Sequence, residues 1–518
     1  MNGARAVART LLDCGVEVCF ANPGTSELHF VAALDDEPAL RAVPCLFEGV
    51  ATGAADGWGR MTGRPAAALL HLGPGLANGL ANLHNARRAA TPVVNLVGDH
   101  ATFHKRLDAP LESDVDAAAR TVSGWMRRCT DSAGAPGDAA EAVAAASGAP
   151  GRVATLLLPA DVSWSDGAEP APPLVPRAPS PVPEETVTRV AGALRGGGSV
   201  ALLLGGPAAT REAALRAAGR VAAATGARLL CETFPARLER GAGLPAVERL
   251  GYLAEGAMAQ LEGVRHLVLA GARAPVSFFA HPGLPGRLAP GDCRVHTLAT
   301  PADDVAGALT ALAGLLDAHA GPVLAPASRP DAPSGPLTAE NAAAAVGAVL
   351  PEGAVVVDES NTSGLWLPGA TAGAPPHDWL TLTGGAIGQG LPLAAGAALA
   401  CPDRPVLCLE ADGSAMYTIS ALWTHAREGL DITTVVFANG AYSILNMELQ
   451  RLGTSGGGRA RRDLLDLSRP GLDFVSLARG MGVPASRAAT AEDLTAQLRG
   501  AFAEPGPHLI EAVVPPLF

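Results

Sequence analysis

The sequence predicts three consecutive α/β domains, each with a mainly parallel sheet flanked by helices. The chain has 518 residues, which is too long for a single hydrophobic core. Short apolar runs alternate with longer Ala-rich helical patterns, as expected for βαβ units. Two Pro-rich stretches, 167–185 and 321–336, have neither helical nor strand periodicity and are typical of linkers. We therefore expect domains at residues 1–166, 186–320 and 337–518.

The predicted strands are the short apolar runs of each part. They are Val43–Phe47, Ala66–Leu72, Val93–Val97 and Val153–Leu158, then Val200–Leu204, Arg228–Cys231, His266–Ala270 and Arg294–Leu298, and finally Ala354–Val357, Val406–Glu410, Ile432–Ala438 and His508–Val514. The N-terminal segment is predicted to be an amphipathic helix and not a signal peptide. Because parallel sheets bind ligands at the carboxyl ends of their strands, functional residues are expected there.

Composition excludes several classes of function. A net charge of −12 disfavours nucleic-acid binding, which needs clustered basic residues. Lys105 is the only lysine, so a Schiff-base enzyme is disfavoured. The eight cysteines form no CxxC pair and no zinc-ligand spacing, and no apolar run is long enough to span a membrane. We therefore expect a cytoplasmic protein that binds neither nucleic acid nor membrane.

Two polar turns follow strands of the third part and point to a metal site. The strand Val406–Glu410 leads into Ala411-Asp412-Gly413-Ser414, and Ile432–Ala438 ends at Asn439. If the strands are neighbours, a carboxylate and an amide oxygen converge, and these are ligands suited to Mg²⁺. Gly413 would let the backbone approach a phosphate, which a helix starting near Ser414 would also attract. The alternative is that both are ordinary Asp-Gly and Asn-Gly turns.

The spacing and surroundings of these turns resemble the cofactor signature of the thiamine-diphosphate (ThDP) dependent 2-oxo acid decarboxylases and carboligases. The similarity is to the branch with benzoylformate decarboxylase and the acetolactate synthase large subunit. Its motifs are 22–28 (NPGTSEL), 48–60 (EGVATGAADGWGR), 73–78 (GPGLAN) and 414–424 (SAMYTISALWT). Ala411 and Gly440 depart from the family pattern, but Asp412 is intact.

The resemblance implies ThDP and Mg²⁺ as cofactors and assigns residues to both. The metal would be bound by the side chains of Asp412 and Asn439 and the backbone carbonyl of Ala441. The other cofactor-binding residues would be Gly385, Ile387, Gly413, Ser414 and Tyr442, with Ile387 under the bend of the cofactor and Gly385 contacting its amino group. FAD is possible, but the Gly205-Gly206-Pro207 turn is too weak to support it.

Four residues are assigned to catalysis by the same resemblance. Glu48 matches the glutamate that activates the aminopyrimidine ring, His71 and His281 match histidines of benzoylformate decarboxylase, and Thr25 replaces its serine. From the residues alone, Glu48 could be a helix N-terminal glutamate and His71 a core histidine at a strand end. A substrate pocket is expected from His29, Phe30, Leu445 and Met447.

The resemblance leaves two reactions open. The first is acetolactate synthase-like cleavage of a 2-oxo acid with transfer of the acyl unit to an aldehyde or 2-oxo acid acceptor. The second is decarboxylation without ligation, which His71 and Leu445 favour; Leu445 also replaces a glutamate of pyruvate decarboxylases. An inactive cofactor-binding homologue or a flavin-binding oxidoreductase is the alternative of another class. The family further implies a homodimer or homotetramer with active sites at subunit interfaces.

Overall fold

The computed structural model describes residues 1–453 and 458–517 and contains three sheets, which confirms the predicted α/β class. The strands are β1 Val18–Asn22, β2 Arg41–Pro44, β3 Ala66–Leu70, β4 Val93–Asp99, β5 Trp125–Arg128, β6 Val153–Pro159, β7 Val200–Leu204, β8 Arg228–Cys231, β9 Leu238–Arg240, β10 Glu248–Arg249, β11 His266–Ala270, β12 Arg294–Ala299, β13 Val355–Glu359, β14 His377–Thr381, β15 Val406–Ala411, β16 Ile432–Ala438, β17 Ala485–Ala488 and β18 His508–Val513.

Helices cover the faces of these sheets. They are α1 Gly3–Asp13, α2 Leu28–Leu34, α3 Glu48–Thr62, α4 Leu72–Ala89, α5 Val115–Arg120, α6 Ala135–Ser147, α7 Ala160–Trp164, α8 Glu184–Arg195, α9 Gly206–Ala209, α10 Glu212–Thr225, α11 Ala254–Leu261, α12 Val305–Leu315, α13 Ala339–Val349, α14 Leu367–Ala370, α15 Gly390–Ala400, α16 Asp412–Ala415, α17 Ala421–Arg427, α18 Ser443–Arg451, α19 Arg459–Leu465, α20 Phe474–Gly480 and α21 Ala491–Ala503. Short 3-10 turns occupy Thr25–Glu27, Lys105–Leu107 and Asn361–Gly364.

The first sheet is fully parallel, with strand order β2-β1-β3-β4-β6-β5. Two predicted strands end earlier than expected. The run predicted as Val43–Phe47 is β2, which stops at Pro44, and Phe47 becomes the extended cap of α3. The run predicted as Ala66–Leu72 stops at Leu70, because the chain turns into α4. The second difference moves the predicted site residue His71 from a strand to the start of a helix.

The second sheet is parallel, with order β10-β8-β7-β11-β12, and the third has seven strands, β17-β18-β16-β15-β13-β14-β9. All pairs of the third sheet are parallel except β14 with β9, which is antiparallel. Strand β9 lies within the segment predicted as the middle domain, so that segment supplies an edge strand to the third sheet. The domain boundaries themselves stay a prediction.

Helices α3 and α15 pack against each other and join the first and third sheets. Glycines allow the close approach, because a Cβ at Gly57 would lie 2.1 Å from the Leu393 carbonyl oxygen, and one at Gly396 would lie 1.9 Å from that of Ala54. One hydrophobic core cluster accordingly includes residues of both sheets and both helices. Because Glu48 begins α3 and the predicted cofactor loop directly precedes α15, this contact positions both.

None of the helices within the described ranges is both long and apolar enough to cross a membrane.

Replacing Gly396 by Ala is expected to loosen this helix contact, since overpacking of a dense interface costs about 1–3 kcal/mol. Thermal unfolding should show a lower midpoint for Gly396→Ala than for the wild-type protein. Gly500→Ala is the matched control, because Gly500 lies on exposed α21 with no atom within 4 Å of the added Cβ. That control should be neutral or slightly stabilising. Equal midpoints for the two variants would contradict the close packing.

Candidate active site

The two polar turns of the third sheet lie side by side. Strands β15 and β16 are parallel neighbours, with Ala411 opposite Phe437, so Asp412 and Asn439 leave the same edge of the sheet. Asp412 is 3% exposed, and its carboxylate accepts hydrogen bonds from the N–H groups of Gly413 (2.8 Å) and Gly440 (2.7 Å). The side-chain oxygen of Asn439 accepts from the Ala441 N–H at 2.9 Å. The two strands are thus neighbours, which is the condition under which the sequence places the two side chains together.

The chemistry of this edge fits a hard divalent cation. Burial raises the pKa of the Asp412 carboxyl, and the N–H groups of Gly440 and Gly413 act in the opposite direction. In residues 1–453 and 458–517, no group of three or more His, Cys, Asp or Glu side chains could hold a metal ion. A metal here would therefore rely on amide and backbone oxygens beside Asp412, the oxygen-only set that Mg²⁺ prefers. Assignment of Asp412, Asn439 and Ala441 as ligands stays a prediction.

Next to Asp412, the packing of an aromatic ring leaves no room for a side chain at position 413. A Cβ at Gly413 would lie 2.5 Å from the Tyr442 ring, so this glycine is required by the aromatic packing. Ser414 accepts a hydrogen bond from the Asn361 side chain at 2.9 Å. Helix α16 ends at Ala415, so it offers only a few N–H groups to an anion. Gly413, Ser414 and Tyr442 thus adjoin Asp412, as a shared diphosphate-binding role requires.

The loop before α15 is held by two asparagines of α4 that the sequence analysis missed. Asn85 donates to the Ala386 carbonyl (2.8 Å) and accepts from the Ala386 N–H (3.2 Å). Asn82 donates to the carbonyls of Gly49 (2.8 Å) and Gly388 (3.2 Å). The backbone on either side of Ile387 is therefore fixed. Spacing by three residues places both asparagines on one helix face, a signal that the sequence contained.

In this loop, Gly385 is exposed and has a φ of +73°, a conformation that favours glycine. Ile387 is half-buried. Their predicted contacts with a bent cofactor stay predictions.

Two buried carboxyl groups beneath this loop were also missed. Glu359 accepts hydrogen bonds from the N–H groups of Gly388 (2.7 Å) and Gly390 (2.5 Å) and thus anchors the loop. Burial raises the pKa of Glu359 to about 7. Glu410 is its neighbour on β15, and burial together with the charge of Glu359 raises the pKa of Glu410 well above its usual value. The pair was overlooked because Glu359 ends a strand that was predicted only as far as Val357, and Glu410 was counted as part of an apolar run.

Glu48 is the first residue of α3 and is buried. Its Oε2 accepts a hydrogen bond from the Asn78 side chain at 3.0 Å. A Cβ at Gly75 would lie 3.0 Å from Oε1 of Glu48 and 3.3 Å from Cβ of His71, so Gly75 separates the two predicted catalytic side chains. Both the helix-start interpretation and the catalytic one agree with this position.

His71 caps the N-terminus of α4 and is half-buried. Its Nδ1 lies 2.8 Å from Oε2 of Glu27, a residue that the sequence analysis did not single out although it lies in the motif 22–28. The Ser26 hydroxyl is 3.5 Å from the same nitrogen. Thr25 is exposed at the start of the same 3-10 turn, so it lies close in sequence to the partner of His71.

His281 lies beside the helix that carries two predicted pocket residues. Its Nε2 is 3.5 Å from the carboxylate of Glu448 on α18. Leu445 on the same helix is 46% exposed, and Met447 is half-buried. The structure therefore brings His281 together with the helix of Leu445 and Met447.

The other two predicted pocket residues lie on α2. His29 is exposed and its ring is 5.8 Å from that of Trp164. Phe30 is only 1% exposed and belongs to the hydrophobic core of the first sheet. No hydrogen bond or ring contact of the described residues joins them to His281 or α18.

A cleft of about 560 Å³ lies away from all of these residues, between the first and second sheets. The Pro207 of the Gly-Gly-Pro turn lines it, as do Arg60 and Arg237. Asp56, Asp378 and Glu239 pair with Arg60, Arg237 and the further lining residue Arg211, so most of the positive charge of the cleft is already neutralised. The cleft therefore adds no support for FAD.

Comparison with known proteins gives matches at both ends of the chain. Residues 1–119 match the model of the thiamine pyrophosphate enzyme N-terminal TPP binding domain, and residues 362–512 match that of the C-terminal TPP binding domain. A Mycobacterium tuberculosis protein named as an acetolactate synthase large subunit, IlvX, is 64% identical over 100% of both chains. Benzoylformate decarboxylase of Pseudomonas aeruginosa is 29% identical over 96% of each chain. The solved structure of a thiamine diphosphate-dependent 4-hydroxybenzoylformate decarboxylase from Rhodococcus jostii has a TM-score of 0.87, with 26% identity and 99% of each chain covered.

His425 provides a pH-dependent test of how α15 is held. It is buried on α17, its Nε2 donates to the Leu391 carbonyl at 2.9 Å, and burial lowers the pKa of His425 to about 4. Between pH 6.5 and 4, His425 is therefore protonated in the unfolded chain but neutral in the folded one. The free energy of unfolding accordingly falls as the pH falls through that window.

From pH 7.5 to 5, this residue should cost about 2 kcal/mol of unfolding free energy. His425→Gln keeps a side-chain donor without a titrating group, so it should lose less stability over that interval. His319→Gln, at an exposed position, is the control and should behave like the wild-type protein. Equal acid sensitivity of wild-type and His425→Gln protein in denaturant titrations would refute the assignment.

Proposed function

Because the chain belongs to the thiamine pyrophosphate enzyme family, we propose that it uses ThDP and Mg²⁺ to cleave a 2-oxo acid and transfer the acyl unit to a carbonyl acceptor. The observation that carries this proposal is the junction of Asp412 and Asn439 at the ends of neighbouring strands, linked through the Gly440 N–H. It offers the oxygen ligands that a metal-bound diphosphate requires.

The chain supplies each of the groups that such a reaction needs. Bound ThDP would contribute a thiazolium carbon that adds to the 2-oxo acid carbonyl. Asp412, Asn439 and the Ala441 carbonyl would hold the metal, and Ile387 would support the bend of the cofactor. Glu48 would hydrogen-bond to the aminopyrimidine ring, and its carboxylate is already oriented by Asn78. His71 would move protons at the reacting oxygen, a role suited to imidazole near neutral pH.

The relatives support acyl transfer over other outcomes by a narrow margin. The M. tuberculosis protein, which shares the full length of this chain, bears an acetolactate synthase name. Decarboxylation without ligation is the second candidate. The His71–Glu27 pair and the exposed Leu445 favour it, and the similar Rhodococcus and Pseudomonas proteins are decarboxylases by name. An inactive cofactor-binding homologue and a flavin-binding oxidoreductase are weaker candidates, since Glu48, Asp412 and Asn439 are all retained.

We further infer a cytoplasmic homodimer or homotetramer with active sites at subunit interfaces. No hydrogen bond or ion pair of the described residues joins Glu48 to Asp412 or Asn439 in one chain. Exposed apolar side chains adjoin both halves, including Leu46 (53% exposed) before Glu48 and Tyr417 (57% exposed) after Ser414. A second copy would cover such surfaces and bring the halves together in a closed, isologous pair. The unpaired state of all eight cysteines agrees with a reducing compartment.

The holoenzyme should consume at least one acid from a panel of aliphatic and aromatic 2-oxo acids. Carbon dioxide, free aldehyde and ligated product are measured separately, with and without an aldehyde acceptor. Ligated product as the main product would support acyl transfer. Free aldehyde formed in stoichiometric amount in the presence of the acceptor would instead show decarboxylation without ligation. Glu48→Gln is the control, since the amide retains a hydrogen bond but cannot drive activation, and it should fold and bind ThDP while losing turnover.

Subunit mixing tests the shared site. Glu48→Gln and Asp412→Ala proteins are each expected to be inactive, the second because a buried diphosphate loses a metal anchor. After subunit exchange, activity should return, because one site of each heterodimer contains neither substitution. Demonstrated exchange without recovered turnover, or full activity of a monomer in light scattering, would exclude a site made by two subunits.

A further inference from the structure

The Glu27 carboxylate is buried against the His71 imidazole. The Glu27 side chain is 1% exposed, and its Oε2 accepts hydrogen bonds from the Gly24 N–H at 2.7 Å and from His71 Nδ1 at 2.8 Å. Its Oε1 is buried and has no hydrogen-bond partner among the described residues. Burying a carboxylate lowers the stability of the fold unless the carboxylate is paired, and the contact of Glu27 with His71 offsets part of this loss.

The surrounding backbone makes room for this pair. A Cβ at Gly98, on β4, would lie 1.6 Å from Oε1 of Glu27. A Cβ at Gly24 would lie 2.3 Å from Cγ and Nδ1 of His71. Neither position can accept a larger residue without moving the carboxylate or the ring. Three separate segments of the first sheet are thus shaped around one hydrogen bond.

The backbone after His71 is strained. Leu72 has a φ of +52°, in the left-handed region that costs a residue other than glycine about 1–2 kcal/mol. This conformation turns the chain from β3 into α4 directly after His71. Glu27 contacts Nδ1 of the ring, and both Oε1 of Glu48 and Cβ of His71 lie next to Gly75.

We propose that Glu27 is a positioning residue that keeps the His71 proton on Nδ1 and directs Nε2 toward the reacting group. The inference rests on the proposed function, in which His71 exchanges protons with the substrate. The carboxylate accepts the Nδ1–H in both protonation states of the ring. Nε2 alone then receives or gives the proton, and Glu27 stays ionised throughout.

Burial raises the pKa of Glu27, but the Gly24 N–H and His71 act against this and favour the ionised form. The other charged groups near the pair are Glu48 and, next to Gly98, Asp99. The latter is already paired with Lys105 and Arg128. Glu27 is therefore the carboxylate that contacts the ring directly.

The first test measures the tautomer without any substrate. In ¹⁵N-histidine-labelled full-length protein, the resonances of His71 are assigned by their absence from His71→Ala protein. The neutral wild-type ring should be protonated on Nδ1, and a ring protonated on Nε2 would overturn the proposal. Because this measurement uses wild-type protein, it does not depend on whether a Glu27 variant folds.

The second test removes the charge while preserving shape. In Glu27→Gln, the tautomer population should move toward Nε2–H, and kcat should fall at least about tenfold with KM and ThDP affinity unchanged. Glu17→Gln, at an exposed carboxylate directly before β1, is the control and should change none of these. Unchanged tautomer and kcat in folded Glu27→Gln protein would refute the role.

The two tests separate this inference from the proposed function. An Nδ1-protonated ring that responds to Glu27→Gln in a protein that turns over no 2-oxo acid would uphold the positioning and contradict the function. Turnover of a 2-oxo acid by a protein whose His71 ring is protonated on Nε2 would support the function and contradict the positioning role of Glu27.

Discussion

The packing of α3 on α15 is the constraint on which the site depends. Glu48 begins α3 and the loop around Ile387 directly precedes α15, so this packing fixes how the two cofactor-assigned segments of one chain are presented. Backbone carbonyls occupy the positions where Cβ atoms would otherwise be, at Gly57 and Gly396. From α4, Asn82 donates hydrogen bonds both to Gly49 on α3 and to Gly388 in the loop before α15, and Asn85 donates to Ala386 in that loop. Steric contact thus sets the distance between the two helices, and hydrogen bonds set the orientation of the loop before α15.

Much of the architecture was predictable because parallel α/β domains have a clear sequence pattern. Each of the apolar runs predicted as strands overlaps a strand of the structure, whereas the pairing of β15 with β16 was left as a condition that only the structure could supply. Strands β1, β5, β9, β10, β14 and β17 were missed. Half-buried or exposed residues give β5, β10 and β17 no continuous apolar run, and polar residues interrupt β9 and β14. The family resemblance, which is confirmed by matches at both ends, is the source of the roles predicted for Glu48 and His71. Neither periodicity nor composition could have done so.

The partners of the site residues were harder to predict than the residues themselves. Glu27 contacts His71 across a gap of more than forty residues, and Glu359 reaches the loop before α15 from a different strand. Such contacts depend on the tertiary fold, and the buried carboxyls also contradict the expectation that charged residues lie outside. Hydrogen bonds from backbone N–H groups to Asp412 and Glu359 explain how these carboxyls are accommodated, whereas Glu410 relies on its raised pKa.

The antiparallel strand β9 has a consequence for biosynthesis. It comes from the middle of the chain but pairs with β14, so a ribosome releases it long before its partner exists. Until β14 is made, the backbone hydrogen-bonding groups of β9 face water or another molecule. The edge of the third sheet that β9 covers in the folded protein is also open while that sheet forms. Completion of the third sheet therefore waits for a contact between distant parts of the chain, which ties the order of folding to the order of synthesis. A truncated chain that lacked the middle segment would present β14 as a free edge for association between molecules.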